Sequence, residues 1–528
     1  ADGGLDPRPA TSSPALDATV KSYDDEWFNE VSYMGAFGLN NWAHGWSALH
    51  TKGYFADPTP TGSNVVNVTD ATLGSDKYYW TADNEYVLDG IVFLEEGGEL
   101  YIEPGTVIKG AEGTGSLASG LVITKGSKIF AEGTADNPII FTSVLDDGTL
   151  TNAVEDRGLW GGVVLLGNAT TNNATVKEIE GVNEIVEEGD TRAQYGGNDD
   201  DDNSGVMRYV SIRHTGIAVG DIAGNEIQGL TLGGVGRGTT IEYVESYASA
   251  DDCFEWFGGT VDAKYLIGAF CSDDAFDFDE GFRGRGQFWF AIQNTDAAGR
   301  TMEMDGATGN ENGTPYGSPK LVNLTLIGDG VSNVGVDGDG DEAIIFRDNI
   351  GGWLYNSIVT DFSGQEGLGI TVEDIDNTGS KPLDSRQRLE AGDLVVANNL
   401  WYDFAAGNTV ATFAPQDFLQ THLAANNNVV ADPELRGISR AADGGLDPRP
   451  ATSSPANGAT LKSVSDSFFD EVTYLGAFSY NNWAHGWSAL HTKGYFGSGQ
   501  MNVSTEEENF SVPSAYTLEQ NYPNPFNP

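Results

Sequence analysis

The sequence predicts an all-β chain folded as a right-handed parallel β-helix, a solenoid with coils of about 21–22 residues, and three observations carry that reading. Short β-prone runs punctuated by Gly, Asn and Asp follow one another from 85 to 431, among them VLDGIVFL, GLVITKGSKIFAEG, GTTIEYVESYA, KLVNLTLIG and DLVVANNLWYDF. Asn-Gly hairpin turns between matched alternating runs are scarce, which disfavours a meander or a sandwich. A repeating spacing takes their place. IEYVESYASADDCFEWFGG from Ile241 lies over AKYLIGAFCSDDAFDFDEG from Ala263 at a shift of 22, so Tyr243 meets Tyr265, Val244 meets Leu266, Phe254 meets Phe276 and Gly259 meets Gly281. Each coil adds a rung ~4.8 Å above the last, and stacking buries an interior that no single coil could bury. About fifteen to seventeen such coils would fill 85–431, less what insertions consume.

The ends of the chain are one module written twice. Residues 1–55 align with 442–496 at a constant offset of 441, and 43 of the 55 pairs are identical. In each copy DPRPATSSPA is an extended, proline-spaced strap. NNWAHGWSALHTKGYF reads as a short α-helix in a small cap-like module. In the first copy Asn41 is the N-cap, Trp42, Trp46 and Leu49 share a face, and Gly53 is the stop. His50 and Lys52 fall in the last turn, where positive charge suits the helix dipole. The expected division is 1–55 first module, 56–84 linker leading into the solenoid, 85–431 β-helix, 442–496 second module, 497–512 linker and 513–528 terminal motif.

The second copy is expected to dock on the β-helix through Trp483, Trp487 and Leu490. The first copy has no equivalent seat within its own unit. Trp42, Trp46 and Leu49 together with Trp483, Trp487 and Leu490 are therefore expected to form an assembly interface. Its partner would be another copy of the chain, in a head-to-tail homopolymer or a tandem array.

A formal net charge of −51 argues against nucleic acid and anionic membranes as partners. No apolar run approaches the length of a membrane span, so membrane insertion is not expected. With 39% hydrophobic and 11% aromatic residues the chain is not a disordered polyelectrolyte. Its carboxylates must be dispersed or must bind cations. The shift of 22 puts Asp251 over Asp273, Asp252 over Asp274 and Glu255 near Asp277. Like charges so stacked need a cation, a proton or solvent to relieve them, and Ca2+ is the natural ion for carboxylates and turn carbonyls. Two further acidic clusters qualify: Asp199, Asp200, Asp201 and Asp202, and the alternating Asp337, Asp339 and Asp341. For each cluster the alternative is a solvated turn tip.

Cys253 and Cys271 are 18 apart rather than 22, so they do not stack directly. In a secreted chain they could form one disulfide; otherwise they are two small buried side chains. Asp252 and Asp274 with Arg283 and Arg285 are the nearest thing to an acid-and-arginine catalytic site. The Gly-His-Gly and Arg-x-Lys patterns of polygalacturonase-like enzymes are absent, so the expectation is a protein without enzymatic activity. Trp256, Phe257, Trp289 and Trp353 could form a sugar-stacking strip if they faced outward.

Longer motifs add a resemblance. GLWGGVVLLGNA (158–169), YGGNDDDDNSGVMRYVSIRHTG (195–216), NEIQGLTLGGVGRGTTIEYVE (225–245), FEWFGGTVDAKYL (254–266), DDAFDFDEGFRGRGQFWFAIQ (273–293) and IIFRDNIGGWLYNSIVTDF (344–362) together resemble a family of secreted β-helix proteins of the Bacteroidota and relatives. The repeated module is similar to the segment that follows the β-helix in that family; a copy ahead of it departs from the family pattern. SAYTLEQNYPNPFNP (514–528) resembles the start of the type A sorting domain of the type IX secretion system. These resemblances imply a β-helix fold and a secreted, extracellular or outer-surface location. With the repeated ends they point to a non-enzymatic surface subunit that self-associates into a fibre or rod. A calcium-dependent adhesin or glycan-binding β-helix is the alternative, and a polysaccharide lyase or hydrolase the third reading.

Overall fold

The computed structural model describes residues 64–500, apart from 174–175, 184, 188, 219–225, 333–340, 364–365 and 376–383, together with parts of 5–55. Two sheets, of 19 and 9 strands, wind through it, and every pairing within them is parallel. This is the predicted parallel β-helix. Its described rungs run from Asn64–Val68, in register with Asn84–Leu88, to Val429–Val430 on Leu400–Trp401.

The coil length is less uniform than 21–22 residues. Thr240–Tyr247 sits on Asp262–Ala269 with Val244 opposite Leu266, as the shift of 22 requires. Elsewhere insertions lengthen the coil: Ile358 pairs with Leu400, and Gly205 with Ile129 across a long excursion. The smaller sheet accordingly has only 9 rungs, well below the number a constant period would give.

What bends each coil at a fixed place is a left-handed corner. Tyr209, Tyr243, Tyr265 and Phe288 have φ of 50, 54, 59 and 60°, and Asn323, Asn356 and Asn398 continue with 60, 56 and 56°. Asparagine tolerates this region, whereas an aromatic residue there carries a strain of roughly 1–2 kcal/mol. The rings recover a comparable amount by stacking: centroids lie 4.4 Å apart for Tyr209–Tyr243, 4.3 Å for Tyr243–Tyr265 and 5.0 Å for Tyr265–Phe288. At Gly259 and Gly281, φ is 84 and 81° and an added Cβ would lie 2.5 Å from Val235 O and Pro315 O. That explains why glycine recurs at the 22-residue spacing.

The interior is a continuous apolar column. Trp256 and Trp289 are fully buried and stack at 5.2 Å, and Phe254 stacks on Phe276 at 5.6 Å. A sugar-binding strip of Trp256 and Trp289 is therefore overturned; Trp353 is half-buried beneath Lys320. Cys253 and Cys271 are joined in a disulfide, with Cα atoms 5.7 Å apart. The turn before Cys253 supplies the offset that direct stacking lacks.

The C-terminal module runs back along the flank of the solenoid. It does not close the last coil. Asn398, Asn356 and Asn323 donate side-chain amide bonds to Thr460 O, Lys462 O and Tyr474 O, so the module reads the asparagine corner first. It then reaches the tyrosine corner, where Trp487 meets Tyr209 edge-on at 5.7 Å and Trp483 meets Tyr265 at 5.2 Å. Its short helix Ala489–Thr492 presents two backbone N–H groups to buried Glu245, Ala489 N at 2.5 Å and Leu490 N at 3.2 Å. Arg285 and Lys264 on the flank pair with Asp466 and Asp470 at 2.7 and 2.9 Å.

Trp483, Trp487 and Leu490 are thus buried within the chain. This corrects the expectation that they meet another copy. Of the N-terminal set, Trp42 and Trp46 lie outside the described residues, and Leu49 is exposed. The described residues of the N-terminal copy are tied to their own solenoid by an ion pair from Arg8 to Glu103.

Truncating Trp487 to alanine should cost about 3–5 kcal/mol of the docked state. The check is limited proteolysis with mass spectrometry, in which cleavage within 442–496 should accelerate while the solenoid resists.

Candidate cation-binding cleft

The outward face of the 9-stranded sheet carries a file of acids. Strand pairing puts Glu255 opposite Asp277 and Asp277 opposite Glu303, in Phe254–Phe257, Phe276–Asp279 and Met302–Asp305. Alternation explains their direction, since Phe254, Trp256, Phe276, Phe278, Met302 and Met304 face inward and every second residue must face out. A parallel file pairs Asp305 with Arg347.

The file does not face open solvent. The described residues of 177–195 fold over it, and the space between is a cleft of about 610 Å³ lined by Lys177, Glu180, Tyr195, Asp279, Asp305 and Arg347 among others. Tyr195 donates to Glu280 at 2.7 Å and Lys177 pairs with the same carboxylate, which pins the cover to the sheet.

Seven carboxylates make one connected run. Oxygens of Asp251, Asp252 and Asp273 lie within 4.8 Å of one another, as do those of Asp252, Glu255 and Asp277, and those of Asp274, Asp277 and Glu303. Cations meet it at Glu303. Arg300 and Arg347 reach Glu303 at 3.1 and 2.7 Å, and Arg347 also holds Asp305 at 2.6 Å. Next to it in register, Glu255, 6% exposed, has a buried Oε2 with no hydrogen-bond partner, and Asp277 has an Oδ1 in the same state.

Burial, and after it the neighbouring carboxylates, push Asp252, Glu255, Asp274 and Asp277 well above the ordinary carboxylate range. The same two causes raise Asp251 to about 8, and burial raises Asp279 to about 6. These donors are hard oxygens clustered at the separation a bound divalent ion spans, and their chemistry fits calcium.

Of the predicted ligands, Asp251, Asp252, Asp273 and Asp274 come together in this run. The acidic loop does not join them. Asp200 is held by Arg283 at 3.0 Å and Asp201 by Arg237 at 2.8 Å, while Asp202 accepts from Asn168 at 3.0 Å. Its remaining member, Asp199, accepts a backbone bond from Asp201. Asp337 and Asp339 lie outside the described residues, and Asp341 is half-buried, with an unpartnered Oδ1, and belongs to none of the three groups that make up the run. Arg283 and Arg285 pair with Asp200 and with Asp262 and Asp466, so the expected arginine and Asp252/Asp274 site does not assemble.

Sequence reasoning missed Glu303, Asp305 and Arg347. The signal was there: FEWF, FDFD, MEMD and IIFR are four successive rungs of one face. Insertions between the second, third and fourth break the 22-residue period and hide the match.

Carboxylates raised in the folded state hold protons that the unfolded chain would release. Their contribution to stability is therefore full below about pH 4 and is lost as pH rises toward 8. Thermal unfolding in chelator should show the melting temperature falling across that window. Glu255→Gln should flatten the dependence while leaving the acid end unchanged.

One family model, described as a pectate-lyase-like β-helix domain, matches residues 72–433. No curated protein and no solved structure matches the chain. The matched span includes every rung of the 9-stranded sheet and the whole carboxylate run. The chain belongs to the family of pectate-lyase-like β-helix proteins.

Proposed function

We propose that this β-helix binds divalent cations, calcium foremost, along the run from Asp251 to Glu303, and that the ion-loaded cleft holds an anionic polysaccharide. The observation that carries the reading is the pair Glu255 and Asp277. Glu255 is buried and Asp277 half-buried, they stand opposite each other in register, and each keeps a buried oxygen without a hydrogen-bond partner. A carboxylate run of this kind is relieved by protons at low pH and by a metal at higher pH. A divalent ion that keeps free coordination positions would then attract sugar carboxylates that a bare acidic cleft repels. A surface or extracellular setting agrees with this: the Cys253–Cys271 disulfide supports an oxidising compartment. Self-association into a fibre is the weaker reading, because the C-terminal half of the expected interface is buried within the chain.

Lyase or hydrolase activity is the second reading, favoured by the family match. The disposition of cations argues for binding without chemistry. Both basic side chains that line the cleft are engaged, Lys177 by Glu280 and Arg347 by Glu303 and Asp305. The ion pairs keep Arg347 protonated, its pKa raised above the usual arginine value by hydrogen bonding to Asp305 and by the surrounding carboxylates against the opposing effect of burial. An arginine so held is a poor base for proton abstraction.

Calorimetric titration at pH 8 should show calcium binding that Glu255→Gln with Asp277→Asn weakens at least tenfold. At a hundredfold excess over Kd each occupied site should add about 2.7 kcal/mol of stability. Absence of a calcium-dependent melting shift in the unaltered protein would reject the reading. For the second reading, incubation with polygalacturonate and calcium should give no rise in the ultraviolet absorbance of unsaturated sugar ends. A rise that Arg347→Ala abolishes would establish a lyase.

A further inference from the structure

Two histidines of the C-terminal module pack on each other and leave one nitrogen each unused. The rings of His485 and His491 have centroids 3.9 Å apart, with planes tilted by 54°. A turn and a helix start bring them together. Gly486, with φ of 102°, turns the chain, and Ser488 caps the short helix Ala489–Thr492 by accepting from His491 N at 3.2 Å. His485 N donates to Asn482 O at 3.1 Å. Between the two histidines Trp487, Ala489 and Leu490 are fully buried, so both rings sit on a fixed segment.

Among the described residues, Nε2 of His485 and Nδ1 of His491 are buried and have no hydrogen-bond partner. The two rings therefore do not bond each other, and a buried polar atom in this state calls for a ligand. His485 is further defined by the Gly497 backbone, whose hydrogen bond favours the protonated ring and so accepts from it. With Nε2 unpartnered, that bond falls on Nδ1, and Nε2 carries the lone pair. Metal-ligating histidines are oriented in this way, the second nitrogen donating to a carbonyl. Burial holds both rings below the ordinary histidine value, helped at His485 by the neighbouring His491, so protons do not occupy the lone pairs at neutral pH. Arg449 also acts on His485, but its charge is offset by Asp447 at 2.7 Å.

We propose that His485 and His491 form a site for a transition-metal ion of the Zn2+ and Cu2+ class, bound through Nε2 of His485 and Nδ1 of His491. Imidazole nitrogens select such ions, whereas the carboxylate run selects hard ones. Two protein nitrogens leave coordination positions open for water or an external ligand. His485 is 8% exposed and His491 half-buried, so the ion enters beside His491. The site shares no residue with the carboxylate run, and the calcium reading does not enter into it. The same spacing recurs in the first copy at His44 and His50, whose side chains lie outside the described residues.

The test uses the full chain. Calorimetric titration with Zn2+ at neutral pH, in excess Ca2+, should show zinc uptake that His485→Gln with His491→Gln lowers by one equivalent. Glu255→Gln with Asp277→Asn should leave that equivalent in place. Because His485 is buried, a second measurement uses the unaltered chain. Cu2+ with ascorbate oxidises the histidines that hold the metal, and mass spectrometry locates the added oxygen. The tryptic peptide 463–493 differs in sequence from the one that carries His44 and His50, so the two copies are read separately. Oxidation of His485 and His491, suppressed by excess Zn2+, is the expected result. Absence of zinc uptake, uptake indifferent to the double substitution in a folded variant, or oxidation that spares both histidines overturns the proposal. Circular dichroism establishes that the variant is folded; if it is not, the oxidation pattern of the unaltered chain decides.

Discussion

Everything in this molecule depends on register. A left-handed corner recurring at the same point of successive coils makes Tyr243 sit on Tyr265, Phe254 on Phe276 and Glu255 on Asp277. Stacking like on like has opposite consequences for different chemistry. An aromatic pair gains about 0.5–1.5 kcal/mol beyond its burial. Two carboxylates one rung apart repel by about 3 kcal/mol at an effective dielectric near 20. The geometry that builds the column therefore creates, without further design, an acidic file that protons or cations must neutralise.

The same rule shapes the flank. A β-helix with aromatic residues at an outer corner exposes a row of rings, and Tyr209, Tyr243, Tyr265 and Phe288 form such a row. The C-terminal module covers it with Trp483 and Trp487, then follows the corner to the asparagine stretch and bonds the amides of Asn323, Asn356 and Asn398. Rings are met by rings and amides by backbone carbonyls. The module is long and thin because the feature it reads is a line.

The sequence made the solenoid legible wherever the period survived. Residues 241–281 have uninterrupted 22-residue coils, and there the pairings, the recurring glycines and the stacked aspartates all follow from alignment alone. Where an insertion enters, periodicity loses its reference point, which is why Glu303 and Arg347 escaped detection although their rungs are regular. The acidic loop at 199–202 is a different case. A run such as Asp199–Asp202 advertises charge but says nothing of the arginines, Arg237 and Arg283, that fold against it. That the C-terminal module docks on the solenoid through Trp483, Trp487 and Leu490 was legible from its apolar face, whereas the corner it follows was not, because the chain reverses direction after the last coil.

Two buried glutamates show how a structural carboxylate differs from one awaiting a ligand. Both Glu245 and Glu255 lie on central strands, and burial raises both. Glu245 accepts from Ser211, from Ala489 N and from Leu490 N, and Arg213 lies close enough to favour its charge. Its hydrogen-bonding capacity is met from within the chain, so it functions as a fastening point for the module. Around Glu255 the neighbouring carboxylates Asp277, Glu180 and Asp251 raise it further, and its Oε2 has no hydrogen-bond partner. Among the described residues none donates a hydrogen bond to that oxygen. A buried group left in this state requires an explanation outside the polypeptide, and a divalent ion shared between Glu255 and Asp277 supplies one that the packing by itself does not.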